Sequence, residues 1–109
     1  MKISAQNLGI ALGQYLEQEL TPQAEGLRRV ALYMAIPILS DKAQKMATRY
    51  KPMLEALDMM TPDGMLDLDV LYTRTKDAMH KAGKTAVFGV IFSEEDVEKI
   101  YALAKPLAQ

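Results

Sequence analysis

The chain has 109 residues, half of them apolar and a quarter charged, with a formal net charge of −1; this composition suits one ordinary globular domain spanning 1–109 and argues against disorder. With no cysteine, a disulfide frame, thiolate metal ligation and cysteine nucleophiles are excluded, and a reducing, cytoplasmic compartment is the expectation. Charge is unevenly divided, with seven Lys/Arg against four Asp/Glu in residues 1–54 (+3) and six against ten in the remainder (−4), an asymmetry that suits attraction of the halves within a molecule or between copies and specifies neither.

Ser4, Gln6 and Asn7 interrupt any signal-peptide apolar region behind Met1-Lys2-Ile3. Over residues 4–20, Leu8, Leu12, Leu16 and Leu20 recur every fourth position, with Ala5, Ala11 and Tyr15 widening the stripe, which predicts an amphipathic first helix. Ala5, Gly9 and Gly13 form a second row of small side chains, fit for close approach of another helix.

Thr21-Pro22 reads as the start of a second helix, Thr as N-cap and Pro at the first helical position. Leu27, Val30, Ala31, Met34 and Ile38 make one stripe, while Leu32, Tyr33, Ala35, Ile36 and Leu39 fill the other sides. A helix apolar nearly all round is expected at the buried centre of the fold, ending or bending at Pro37. The run 30–39 has ten residues and contains Pro37, too short for a membrane span of about twenty.

After Ser40-Asp41, the residues Ala43, Met46, Ala47, Tyr50, Met53, Leu54 and Leu57 keep one helical phase through Pro52, predicting a single kinked helix over 41–60. Its outer face carries Lys42, Lys45 and Arg49 at i, i+3 and i+7, with Lys51 nearby. Thr61-Pro62-Asp63-Gly64 is a turn, residues 64–66 are a candidate short strand, and Asp67 is placed to cap a helix that runs to Ala82 and ends at Gly83. Thr85, Val87, Phe88, Val90, Ile91 and Phe92 predict a strand over 85–92, for which the Met65-Leu66 segment is the nearest internal partner; the alternatives are pairing with the same segment of a second copy or an extended apolar strap without a regular ladder. Ser93 with Asp96, and Glu94 and Glu95 in the first turn, start the last helix.

The expected fold is therefore mainly α, a single-domain bundle of about five helices around a buried second helix, with a minor strand or ribbon near 64–66 and 85–92. From DG-x-LDLD to FSEEDVEKIY, residues 62–101, the chain resembles small bacterial or prophage proteins, a likeness that implies no activity.

Chemistry is sparse. Asp58, Asp63, Asp67 and Asp69 surround Gly64, but setting Gly64 as the sixth position of a calcium loop puts Met59 first and Val70 twelfth, where an Asp and a bidentate Glu are needed. His80, the only histidine, falls on a polar helix face without a nucleophile in register, and Gly83-Lys84-Thr85 lacks the first half of a P-loop. No catalytic residue, cofactor or metal is expected. A protein that is no enzyme and engages other proteins, first of all a second copy of itself, is the leading expectation, because the helices carry more apolar surface than one small core hides. Its candidate contact surface is Val87, Phe88, Val90, Ile91 and Phe92. The alternative is a nucleic-acid regulator using a basic patch of Arg28, Arg29, Lys42, Lys45, Arg49 and Lys51; the acidic pI of about 5.8 weighs against it. A membrane partner is not expected.

Overall fold

The first helix is the axis of the fold. In the computed structural model, which describes residues 1–82, 85–87 and 90–109, the Ser4 Oγ accepts a hydrogen bond from the Asn7 N–H at 3.0 Å and so starts α1 (Ala5–Tyr15). The helical path then widens into a π-helical stretch, Leu16–Leu20, and tightens into a 3₁₀ turn, Thr21–Gln23. Thr21 does not cap a long second helix as its sequence suggests. Its hydroxyl is buried and donates to the Leu16 carbonyl at 3.0 Å, closing the widened turn, and Pro22 serves the short 3₁₀ turn. The second helix, α2 (Gly26–Ala35), starts later, behind Glu25 and without a side-chain cap.

At Pro37 the helix does bend. A 3₁₀ turn, Ile36–Ile38, leads from α2 into α3 (Leu39–Arg49), so α2 and α3 are consecutive turns of one bent helix that runs back along α1. The row of small residues does what its spacing implies. A β-carbon built on Gly9 would sit 2.5 Å from Ser40 Cα and 2.7 Å from the Leu39 carbonyl oxygen, while one on Gly13 would meet Ile36 Cγ2 at an ordinary 3.5 Å. Gly9 therefore lets the α3 backbone press against α1, a separation no residue with a side chain tolerates.

The kinked helix expected over 41–60 is present in two pieces, α3 and α4 (Lys51–Ala56). The backbone bonds Tyr50 N–H to Met46 O and Leu54 N–H to Tyr50 O carry the path across Pro52, because Pro at the start of a turn forfeits no bond that the turn needs. It ends earlier than expected, where Asp58 takes a left-handed backbone (φ 58°).

The β structure is smaller and differently paired than expected. Strand β1 (Lys2–Ile3) pairs antiparallel with β2 (Leu66–Asp67), Ile3 opposite Leu66, and Lys2 exchanges backbone bonds with Gln109 at 3.0 and 2.7 Å. The partner of Leu66 is thus the N-terminal segment and not 85–92. Among the described residues of 85–92 there are two strands instead of one, β3 (Thr85–Val87) and β4 (Val90–Phe92), which pair with each other, Val87 opposite Val90. Between β2 and β3 lies α5 (Leu68–Ala82), whose first turn is capped by Asp67, its Oδ1 accepting from the Val70 N–H at 3.2 Å. The C-terminal cap proposed for Gly83 lies outside the described residues. The last helix, α6 (Glu94–Ala104), opens on the expected capping box, with the Ser93 N–H bonded to Asp96 Oδ2 at 2.7 Å.

Two apolar clusters hold these elements. Ile3, Ala5, Ala11, Met60, Leu66, Leu68 and Ala104 form one, joining β1, β2, α1 and α6. Tyr15, Leu16, Ala24 and Leu32 form the other, with Ile36, Leu39, Phe92, Ile100 and Leu103 against them. The outcome is the expected mainly α domain with a small sheet, except that α1 and not the second helix is its centre. On α2 only Leu32 is buried. The reason is geometric: Leu32, Ile36 and Leu39, at i, i+4 and i+7, face α1 and its extension, and no described element covers the opposite side.

Candidate interaction surface

That opposite side is the stripe Leu27, Val30, Ala31, Met34 and Ile38. Leu27 is 88% exposed, Met34 71%, Val30 53% and Ile38 45%, and Ala31 is exposed as well. Periodicity identified these five residues as one face, yet read it as core. A helix apolar nearly all round presents two apolar faces, and α2 has a neighbour for one. Single exposed apolar residues are ordinary; five grouped on one face are not. Tyr33, also exposed, lies beside the stripe with the Arg29 guanidinium 5.8 Å from its ring centre, so Arg29 is held on an aromatic face. A second exposed apolar group, Met46, Tyr50, Met53 and Leu57, follows on α3 and α4.

Beneath the bend is a cleft of about 260 Å³ lined by Ile10, Gly13, Gln14, Glu17, Ile36, Pro37 and Ser40. Glycine on α1 and the proline bend on the facing helix together leave this space, and its wall carries one ionisable group, Glu17. The lining is mixed, with Ile10, Ile36 and Pro37 beside Gln14, Glu17 and Ser40.

The six bases of the expected patch are strung along the bent helix and its continuation. Arg28 and Arg29 sit on α2, Lys42, Lys45 and Arg49 on α3, and Lys51 opens α4. Lys45 pairs with Asp41 at 3.0 Å and Lys51 with Glu55 at 3.8 Å, while the Arg49 guanidinium lies 5.4 Å from the Tyr50 ring centre. Part of the positive charge is therefore already met within the chain.

The contact surface expected at 85–92 stands differently. It falls on two strands that pair with each other, Thr85 opposite Phe92, Ala86 opposite Ile91 and Val87 opposite Val90. Phe92 is half-buried, its ring centre 5.9 Å from that of Tyr15; Phe88 lies outside the described residues. The chain matches no family model, no curated protein and no solved structure.

Elsewhere the polar groups serve the fold. Tyr15 donates to Asp96, and burial, reinforced by that carboxylate, pushes the phenol above its ordinary pKa. Burial pushes the Asp96 carboxyl upward, but hydrogen bonds from Tyr15 and from the backbone and side chain of Ser93 more than offset this and hold it below the usual value. One carboxylate thus ties α1 to the start of α6. The Thr61 hydroxyl donates to Asp63 and accepts from the Met65 N–H at 3.1 Å, so Asp63 is a turn residue. Asp67 is a cap, and Asp69 accepts from the Tyr101 hydroxyl at 2.7 Å. His80 is exposed, its Nδ1 3.3 Å from Glu94 Oε1. Among the described residues no group of three or more His, Asp or Glu side chains is arranged to hold a metal ion, and no helix is long and apolar enough to cross a membrane.

Proposed function

We propose that this chain is a non-enzymatic assembly protein that self-associates. The observation that carries the reading is the outward face of α2: a ten-residue helix with one buried side chain and a contiguous apolar stripe exposed along its length. A helix this short is marginal by itself and draws its stability from what it packs against, so a partner on the open face supplies burial that the chain does not provide. The second exposed apolar group on α3 and α4 adds to this support. The expected partner is protein, and the expected machinery is apolar contact.

Sedimentation velocity or light scattering across a wide concentration series tests the proposal. The expected result is a mass that rises from one chain toward a defined multiple. A strict monomer at the highest concentration, with no binding of a dye that reports exposed apolar surface, overturns it.

A further inference from the structure

Leu27, Ala31, Met34 and Ile38 are separated by four, three and four residues, the spacing of a helix–helix seam over two heptads. All four are exposed. Building on the self-association proposed above, we infer that this seam, which runs from α2 into the 3₁₀ turn Ile36–Ile38, pairs antiparallel with the same segment of a second copy, about a two-fold axis passing between positions 32 and 33.

Two features select that arrangement. The first is size. In this register Leu27 lies opposite Ile38 of the partner subunit, and Ala31 opposite Met34 of the partner subunit, so each long, flexible side chain meets a small one at the centre and two branched ones meet at the ends. Alternation of large and small is how facing helices fill the space between them. A parallel pairing stacks Ala31 on itself and leaves a gap beside a crowded methionine pair.

The second is charge. Glu25 stands at the start of α2 and Arg28 lies in its first turn, while Asp41 and Lys42 lie in the first turn of α3, past the other end of the seam. Antiparallel pairing brings each end against the opposite end of the other copy, so Glu25 comes within reach of Lys42 of the partner subunit and Arg28 within reach of Asp41 of the partner subunit. A parallel pairing instead sets Arg28 beside its own copy and Lys42 beside its own copy. The seam is therefore complementary to itself, as an isologous interface requires, and Val30 and Pro37 beside it add no charge. Asp41 Oδ2 also bonds Lys45 within the chain at 3.0 Å.

Two sets of variants test the seam. Met34→Glu places a carboxylate at the centre of the apolar contact. The residue is 71% exposed, so an unchanged circular dichroism spectrum is expected together with association weakened by about tenfold or more. Because the chain has no cysteine, Ala31→Cys and Met34→Cys variants, mixed and gently oxidised, report the register directly. Crosslinked pairs of one variant with the other are expected to exceed either self-pair several-fold, since only the mixed pair lies directly across the axis. If the wild-type chain associates while Met34→Glu leaves that association unchanged, the seam is wrong and self-association stands through another surface. If Met34→Glu dissociates the assembly but self-pairs of Met34→Cys dominate, the face is right and the antiparallel register is overturned. A wild-type chain that is monomeric throughout overturns both the seam and the function it rests on, leaving the face to a foreign protein or a lipid surface.

Discussion

Replacing Gly9 by alanine tests the packing on which the whole arrangement depends. The added methyl would lie 2.5 Å from Ser40 Cα, 2.7 Å from the Leu39 carbonyl oxygen and 2.8 Å from the Ser40 nitrogen. All three are backbone atoms that no rotamer change can move. Carbon atoms pack at about 3.5–4.0 Å, so α3 must retreat by roughly 1 Å, and a gap of that size forfeits about a quarter to a half of each contact along the seam. Overpacking of this kind costs about 1–3 kcal/mol, and a backbone clash belongs at or beyond the upper end. Alanine returns about 1 kcal/mol through helix propensity, so a net loss of about 2 kcal/mol is expected. Gly13→Ala is the internal control: its methyl meets Ile36 Cγ2 at 3.5 Å, an ordinary contact, and it should gain about 0.5–1 kcal/mol. Urea unfolding followed by far-ultraviolet circular dichroism reads both. Equal stabilities for the two variants, or Gly13→Ala the less stable, would refute the assignment of the close crossing to Gly9.

The orientation of α2 is tested by a pair on its two sides: Leu32→Ala should cost about 2–4 kcal/mol, and Leu27→Ala should stay within about 0.5 kcal/mol, with urea midpoints as the measurement and the reverse order fatal to the orientation. Ser93→Ala removes half of the capping box and should cost about 1 kcal/mol, read the same way. For pH, Asp67 is held below the usual carboxylate value by the Val70 N–H and by Lys2, and Asp96 by the bonds that overcome its burial. A carboxyl whose folded pKa is depressed contributes stability that is complete above its unfolded value of about 4 and is lost as the pH falls through the folded value. The urea midpoint should therefore be level from about pH 7 to 5 and fall below about pH 4, with a shallower fall in Asp96→Asn. A midpoint that does not move in acid would count against both carboxylates.

What was legible beforehand was local. Ser93 and Asp96 sit three residues apart and form their capping box without help from the rest of the chain; Asp67 caps α5 in the same way. The small row at Gly9 and Gly13 showed in its spacing because close helix approach has one chemical requirement, the absence of a side chain. The features that escaped depend on distant neighbours. A two-residue strand at Lys2–Ile3 carries no periodic signal, so the partner of Leu66 could not be found. The stretch 85–92 has the composition of one strand and of two paired strands alike. Which side of the second helix faces inward is the clearest case, since Leu32, Ile36 and Leu39 are no more apolar than Leu27, Met34 and Ile38.

The crossing at Gly9 decides that last question, and so links the core to the proposed surface. Ser40 is pressed on α1 at Gly9, and Ile36 contacts Gly13 one turn further along α1. These two contacts fix the rotation of the bent helix about its own axis at the point where α2 leads into α3. From there the helical period carries Leu32 onto Tyr15, Leu16 and Ala24. The same rotation turns Leu27, Ala31, Met34 and Ile38 outward, because they lie on the other side of the same turns. A methyl at Gly9 that shifts α3 therefore also shifts the platform from which α2 is presented. If the open face is the contact between copies, Gly9→Ala should weaken self-association at concentrations where the chain is still folded, whereas Gly13→Ala should leave it unchanged. Sedimentation of the two variants beside the wild-type chain measures this. Loss of association in both variants, or in neither, would separate the surface from the crossing that positions it.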